Sequence, residues 1–381
     1  MSRTIITANL ITPGEVLENH TLLIEGERIR AVVPPDQLQV NAGDQLLQLE
    51  DCWIAPGLVD LHAHGGNGVD AMDANPDAWD GLCRFFARCG VTAFLLTTGT
   101  ASREEITAVI NLFQTYTPPS DGAVPLGIHL EGPYLNPAKK GAQPEEHLRH
   151  PDPEEYLPWL DSGVVRLITL APELPGARDL IRSGRERGVK CSVGHSTASY
   201  HLMQQAIEDG LDQASHTFNA MVPLHHRHPG VLGAVLSEPS VYAQVIPDGQ
   251  HVHPAVIRAL AAAKGVERTI LITDAMRAAG MPGGEYELLG QPVMVSGGAA
   301  RLADGALAGS LLTMDQGLRN LVQMGEFSLR DAVIMASTAP AASLDLADGR
   351  GRLRPGARAD LVVLNQDLSV SAVWIGGKKV V

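Results

Sequence analysis

"APGLVDLHAHGGNGVD", residues 55–70, is an apolar run that ends in two histidines one residue apart and then breaks off in glycine. On a strand, side chains two apart share a face, so His62 and His64 point the same way. When that way is inward, the two imidazoles approach one metal ion together. The "GGNG" behind them lets backbone pass close by and leaves room above the rings.

This run is the first of eight. It is followed by "VTAFLLTT", "PLGIHLEG", "VVRLITLAPE", "VKCSVGHS", "QASHTFNA", "VYAQVIPDG" and "TILITDAM". Between them lie amphipathic stretches: "DAWDGLCRFFARCG", "SREEITAVINLFQTY", "ARDLIRSGRERG", "SYHLMQQAIEDG" and "HPAVIRALAAAKG". Short β-branched runs alternating with helices are the mark of parallel strands each followed by a helix. Eight such units predict an α/β fold of the TIM type, a (β/α)8 barrel, over residues 54–349.

The two ends break the repeat. "TLLIEGERIRAVV" reads as a hairpin turning around Glu25–Gly26, and "ADLVVLNQDLSVSAVWIGGKKVV" as short strands with a turn at Gly376–Gly377. Together they predict a small β-domain made from both termini, residues 1–53 and 350–381. The stretch "ELLGQPVMVSGGAARLADGALAGS", residues 287–310, is extended and loop-rich, and is expected to cover the barrel mouth.

Composition narrows the function classes. A net charge of -14 over 381 residues argues against nucleic acid or an anionic membrane as partner. An anionic small substrate then needs a dedicated cationic pocket. Four cysteines without a CxxC pair read as reduced thiols rather than a disulfide framework or zinc-thiolate site. The N-terminus lacks the features of a signal peptide, and no run approaches a membrane span; the expected location is the cytoplasm.

In a barrel of this kind, chemistry sits at the C-terminal ends of the strands. Besides His62 and His64, those ends carry Glu131 in "HLEGPY", His195 in "VGHST", His216 in "SHTFNAM" and Asp274 in "TDAM". A lone histidine is more often a hydrogen-bonded core residue, but convergence of several alters that reading. Imidazole and carboxylate donors suit zinc or iron, and three protein ligands with an open position make a catalytic site. His129 shares a face with Glu131 but lies deeper, and reads as a buried, hydrogen-bonded ring.

The motifs "PGLVDLHAHG", "HLEGPYLNPAKKGAQ", "GHST", "SHTFNAM", "PDGQHV", "TDAM" and "LAGSLLTM", in that order, resemble the amidohydrolase superfamily and, within it, the N-acetylglucosamine-6-phosphate deacetylase family. The resemblance covers essentially the whole chain. It implies a distorted (β/α)8 barrel flanked by a β-sandwich, a divalent metal (zinc or iron), and removal of acetate from N-acetylglucosamine 6-phosphate in amino-sugar catabolism. By the same resemblance Glu131, His195 and His216 match metal ligands and Asp274 the acid/base that serves a metal-activated water. Ala142, Gln143, Asn219, Ala220, Arg227, His251, Ala308, Gly309 and Ser310 match substrate-contacting positions. The resemblance further implies a homodimer in which a basic residue, Arg227 or His251, reaches the phosphate held by the neighbouring subunit.

Two positions bear on the number of ions, one or two per subunit. Some relatives lack the HxH histidines, whereas this chain keeps both, so His62 and His64 are expected to hold a second ion bridged through Glu131 or a hydroxide, the alternative being that they bind weakly or only line the pocket. Gln143 stands where single-metal relatives carry a carbonyl-polarising histidine. An amide can donate a hydrogen bond but carries no charge, and a second metal is the expected substitute. At the phosphate end, "LHHRHPG", residues 224–230, concentrates positive potential. There Arg227 can fork onto phosphate oxygens, with backbone N–H groups of Asn219 and Ala220 as further donors. Three alternatives stay open at this level: the galacto epimer of the same substrate, an amidohydrolase acting on cyclic amides or N-acyl amino acids, or a non-enzymatic metal-binding scaffold, against which Asp274 argues.

Overall fold

The computed structural model describes residues 3–381; residues 1 and 2 of the expected terminal domain lie outside the described residues. Eight strands, Leu58–Ala63, Val91–Thr98, Val124–Glu131, Val165–Leu170, Lys190–Val193, Gln213–Ala214, Tyr242–Val245 and Thr269–Leu271, pair in chain order, each parallel to the next. Each is followed by a helix on the outside. The helix Pro76–Arg88 shows why: it buries Trp79, Leu82, Phe85 and Phe86 along one stripe, and Phe86 meets Phe94 of the second strand edge-on at 4.8 Å between ring centroids.

All five expected helices form, and the barrel units carry three more. Pro153–Asp161 carries an internal proline, Pro158, which masks it as a turn. Gly230–Ser237, "GVLGAVLS", is buried on nearly every side and so has no polar face to betray its period. The helix of the eighth unit, Met314–Gln323, is displaced by the intervening antiparallel flap of Gly284–Leu288, Gln291–Ser296 and Ala299–Arg301.

The chain ends form a second sheet of seven strands: Arg3–Ile11, Val16–Glu25, Arg28–Val33, Gln45–Pro56, Leu361–Leu364, Val370–Ile375 and Lys378–Lys379. It is one hydrogen-bonded sheet that curls until its far turns meet. A Cβ at Gly377 would fall 2.0 Å from the Gly26 carbonyl oxygen, and φ there is +77°, so only glycine fits. Ile6, Leu10, Leu22, Ile54, Leu361 and Trp374 share the core that this curl encloses. The strand Gln45–Pro56 runs directly on to the first barrel strand.

The barrel closes at its upper rim. There the Asp274 N–H donates to the His62 carbonyl at 2.7 Å and the His64 N–H to the Ala275 carbonyl at 2.9 Å. One turn lower, buried Asp60 accepts the Thr273 hydroxyl at 2.6 Å, together with the N–H groups of His62 at 3.2 Å and Thr273 at 3.4 Å. Burial pushes the Asp60 carboxyl up to about 6 despite these donors. Asp60→Ala strands three buried donors, each worth about 1–3 kcal/mol when left unsatisfied. Urea denaturation is expected to show a loss of at least about 2 kcal/mol; an unchanged midpoint would contradict the closure role.

Candidate metal centre and active site

Beneath the rim runs a belt of buried polar side chains that touches seven of the eight strands. His129 bonds Thr97 at 3.4 Å and Thr169 at 2.7 Å; Thr169 bonds Ser215, which bonds Ser192, both at 2.7 Å. On the other side the Gln244 amide donates to Gln213 at 3.1 Å, leaving its oxygen to accept the His62 Nδ1–H at 3.4 Å. Burial, then the charge at His62, hold the His129 imidazole well below its usual range. His129 is thus the buried, hydrogen-bonded ring expected from its depth.

On this belt stand six ionisable side chains. His195 and His216 place their Nε2 atoms 3.1 Å apart, and His62 and His64 theirs 3.3 Å apart. Glu131 lies between the pairs. Its Oε1 is 2.8 Å from His216, 3.3 Å from His195 and 3.5 Å from His62, while Oε2 is 3.2 Å from His64. Asp274 Oδ1 is 3.3 Å from His64 and 3.5 Å from His62. Two groups with the geometry of metal sites therefore share one carboxylate: His62, His64 and Glu131, and Glu131, His195 and His216.

The backbone explains how the side chains converge. His195, His216 and Asp274 follow their strands with φ of +48°, +30° and +51°, a left-handed conformation uncommon outside glycine. It ends each strand and turns the side chain over the mouth. Ser310 backs Asp274 from behind: its hydroxyl donates to the Thr273 carbonyl at 2.6 Å and its N–H to the Asp274 carbonyl at 2.7 Å.

The donor set fits a divalent cation. The Lys139 carbonyl accepts the His195 Nδ1–H at 2.8 Å, so the His195 Nε2 lone pair faces the centre, as the Gln244 contact fixes for His62. Ligands about 2.0–2.1 Å from a tetrahedral ion sit about 3.3 Å from each other, close to the two Nε2 spacings above. With no ion bound and protons on the imidazole Nε2 atoms, burial alone would raise the Glu131 carboxyl, but the charge at His62 and hydrogen bonds from His195 and His216 hold it well below the usual carboxylate range. For Asp274 the same burial is outweighed by His62 and by a hydrogen bond from His64, again lowering it. His64, which burial would lower, is raised well above its usual value by hydrogen bonds to Asp274 and Glu131.

A cavity of about 500 Å³ opens above these groups. Of the residues singled out as substrate contacts, Ala142, Gln143, Asn219, Ala220, His251 and Gly309 line it, along with His64, Glu131, His195, His216 and Asp274. His251 is fixed by Nδ1–H donation to Asp248 at 2.6 Å. The Asn219 N–H is turned back onto the His216 carbonyl at 2.9 Å, whereas the Ala220 N–H has no intrachain partner among the described residues. Ala308 and Ser310 are buried behind the cavity wall. Arg227 lies outside the cavity, exposed, its guanidinium 2.8 Å from the His226 Nε2.

Sequence reading missed the groups that act through their backbone or from a neighbouring loop. Lys139 and Lys140 line the cavity. Leu288, Leu289 and Leu307, by contrast, belong to the stretch 287–310 expected to cover the mouth, and they complete the cavity wall. Glu173 gathers Asn136, Ser196 and Thr197 through bonds of 2.6–3.2 Å and so braces the turn that carries His195. Only the "PE" at the end of the fourth run hinted at it.

Comparison with known proteins agrees with this geometry. The Amidohydrolase family model matches residues 53–380. The chain belongs to the amidohydrolase family. Among its members, the N-acetylgalactosamine-6-phosphate deacetylase of Escherichia coli O157:H7 is 39% identical over 381 residues, covering 99% of both chains. The N-acetylglucosamine-6-phosphate deacetylase of Bacillus subtilis is 36% identical over 367 residues, covering 95% of this chain and 92% of that one. An aspartate-to-alanine mutant of the N-acetyl-D-glucosamine-6-phosphate deacetylase of Mycobacterium smegmatis, solved in complex with N-acetyl-D-glucosamine-6-phosphate, superposes with a TM-score of 0.92 at 36% identity over the full length of both.

Because this amidohydrolase shares Glu131 between two groups, its variants separate them. Glu131→Ala is expected to reduce retained divalent metal to background, while His64→Ala keeps the Glu131, His195 and His216 group and its ion. Plasma emission analysis after dialysis reads the difference, and equal loss in both variants would refute two separable groups.

Proposed function

We propose that this amidohydrolase removes acetate from N-acetyl-D-glucosamine 6-phosphate, giving glucosamine 6-phosphate in the cytoplasmic catabolism of amino sugars. The observation that carries the reading is the meeting of Glu131, His195, His216 and Asp274 under one cavity, on a chain whose relatives are hexosamine-phosphate deacetylases along its full length. No helix among the described residues is long and apolar enough to cross a membrane.

Zinc suits the imidazole and carboxylate donors best, with iron(II) next; the reading assigns one ion to Glu131, His195 and His216 and a second to His62, His64 and Glu131. Such an ion lowers the pKa of a water toward about 7 and draws electron density from a carbonyl. The rest falls to the chain. Asp274 takes a proton from the water as its oxygen bonds to the acetyl carbon. It then delivers that proton to the departing nitrogen as the carbon–nitrogen bond breaks, releasing acetate and the amine. His251 and the Ala220 N–H are suited to meet the phosphate in the same subunit. Arg227, outside its own cavity, is read as serving the neighbouring subunit's substrate in a homodimer.

Asp274→Asn is expected to lower kcat by about 10²–10⁴-fold with metal content unchanged; normal turnover would remove it from the reaction. Arg227→Ala should chiefly raise KM, and an unaltered KM would take it out of the phosphate site. Acetate release from both hexosamine phosphates tests the substrate itself. A higher kcat/KM on the gluco compound is expected, and a tenfold preference for the galacto compound would replace it.

A further inference from the structure

Gln143 stands at the place where the sequence suggests a contact with the substrate carbonyl, yet both ends of its amide are already engaged. Its Nε2–H donates to Glu131 Oε2 at 2.7 Å, and its Oε1 accepts the Thr100 backbone N–H at 2.8 Å. The residue is 5% exposed. The Thr100 bond decides which way the amide faces: with oxygen turned to an N–H, nitrogen must face the carboxylate.

The carboxylate on the other side is one that needs fixing. The terminal torsion of a glutamate is broad and roughly two-fold, and Glu131 must offer one oxygen to His195 and His216 and the other toward His64. No imidazole holds Oε2 as closely as Gln143 does. The loop bearing Gln143 is itself anchored. Its Lys139 carbonyl accepts from His195 at 2.8 Å and its Ala142 carbonyl from Gln291 of the flap at 2.6 Å.

We infer that Gln143 is a positioning residue of the metal centre, which holds the shared carboxylate in the orientation that serves both histidine pairs, rather than a group that binds the substrate carbonyl. Its role rests on the metal-dependent reading of the site but not on which sugar the enzyme takes. Partners that orient a ligand in this way are worth about 10–100-fold in metal affinity.

The test titrates the as-purified full-length enzyme with EDTA and measures retained metal by plasma emission. Q143E keeps the shape but replaces the donor by an acceptor, and Q143A removes both hydrogen bonds without adding charge, so a packing failure in one leaves the other informative. Both are expected to release metal at about 10–100-fold lower EDTA than wild type, and added Zn²⁺ is expected to restore acetate release to Q143A. Release at the wild-type EDTA concentration, with kcat/KM nevertheless reduced, would overturn the inference and return Gln143 to the substrate. Failure of added Zn²⁺ to restore any activity to Q143A would overturn it as well. A wild-type enzyme that binds zinc normally but frees no acetate from either hexosamine phosphate would sink the substrate reading and leave the EDTA result standing.

Discussion

Everything in the site hangs on how the eighth unit is fastened to the first. Parallel strands in a closed barrel need a last ladder, and here it is made beside the residues proposed to do the chemistry, through the Asp274 N–H to His62 carbonyl bond and the bridge between Ala63 and Ala275. Asp60, two residues before His62, ties the same seam from within through Thr273. The distance between Asp274 and the HxH pair is therefore set by backbone hydrogen bonds, not by side-chain reach. That suits the proton carrier proposed for Asp274, since a misplacement of about 1 Å can cost about 10²-fold in rate.

A second constraint follows from placing four imidazoles and two carboxylates in one buried volume. Low local dielectric strengthens every attraction there and punishes every unpaired group. The protein answers with the polar belt below, where Thr97, His129, Thr169, Ser192, Ser215, Gln213 and Gln244 satisfy one another instead of forming the apolar layers usual in such barrels. Through Gln244 the belt also orients His62, and through the loop above, Lys139 orients His195. Among the described residues the Nδ1 atoms of His64 and His216 are buried without such partners, so within the chain those two rings are held by packing and by what their Nε2 atoms meet.

Period and strand-end chemistry made much of this legible. The eight runs became the eight barrel strands, and the two terminal segments with their glycine turns became one curled sheet, because both patterns are local and repeat. The polar residues at strand ends could be collected because the fold fixes where strands end. What escaped was non-local or carried by backbone. A helix buried all round, Gly230–Ser237, has no amphipathic signature; the Lys139 carbonyl and the Thr100 N–H leave no trace in side-chain identity. The left-handed turns at His195, His216 and Asp274 were invisible too, since none of them is glycine. The departure from histidine at Gln143 is visible in the sequence, but its partner depends on which way the amide turns.

The charge of the chain needs a matching distinction of scale. A net -14 repels an extended polyanion, whose many charges sample the whole surface. A sugar phosphate is different, because at physiological salt the Debye length is about 8 Å, so a ligand inside the cavity responds to the groups lining it and hardly to the rest of the surface. Those groups include Lys139, Lys140 and His251 beside the carboxylates, and neither lysine is engaged in an ion pair among the described residues. An acidic protein can thus exclude nucleic acid at long range and still receive a small phosphorylated substrate at short range.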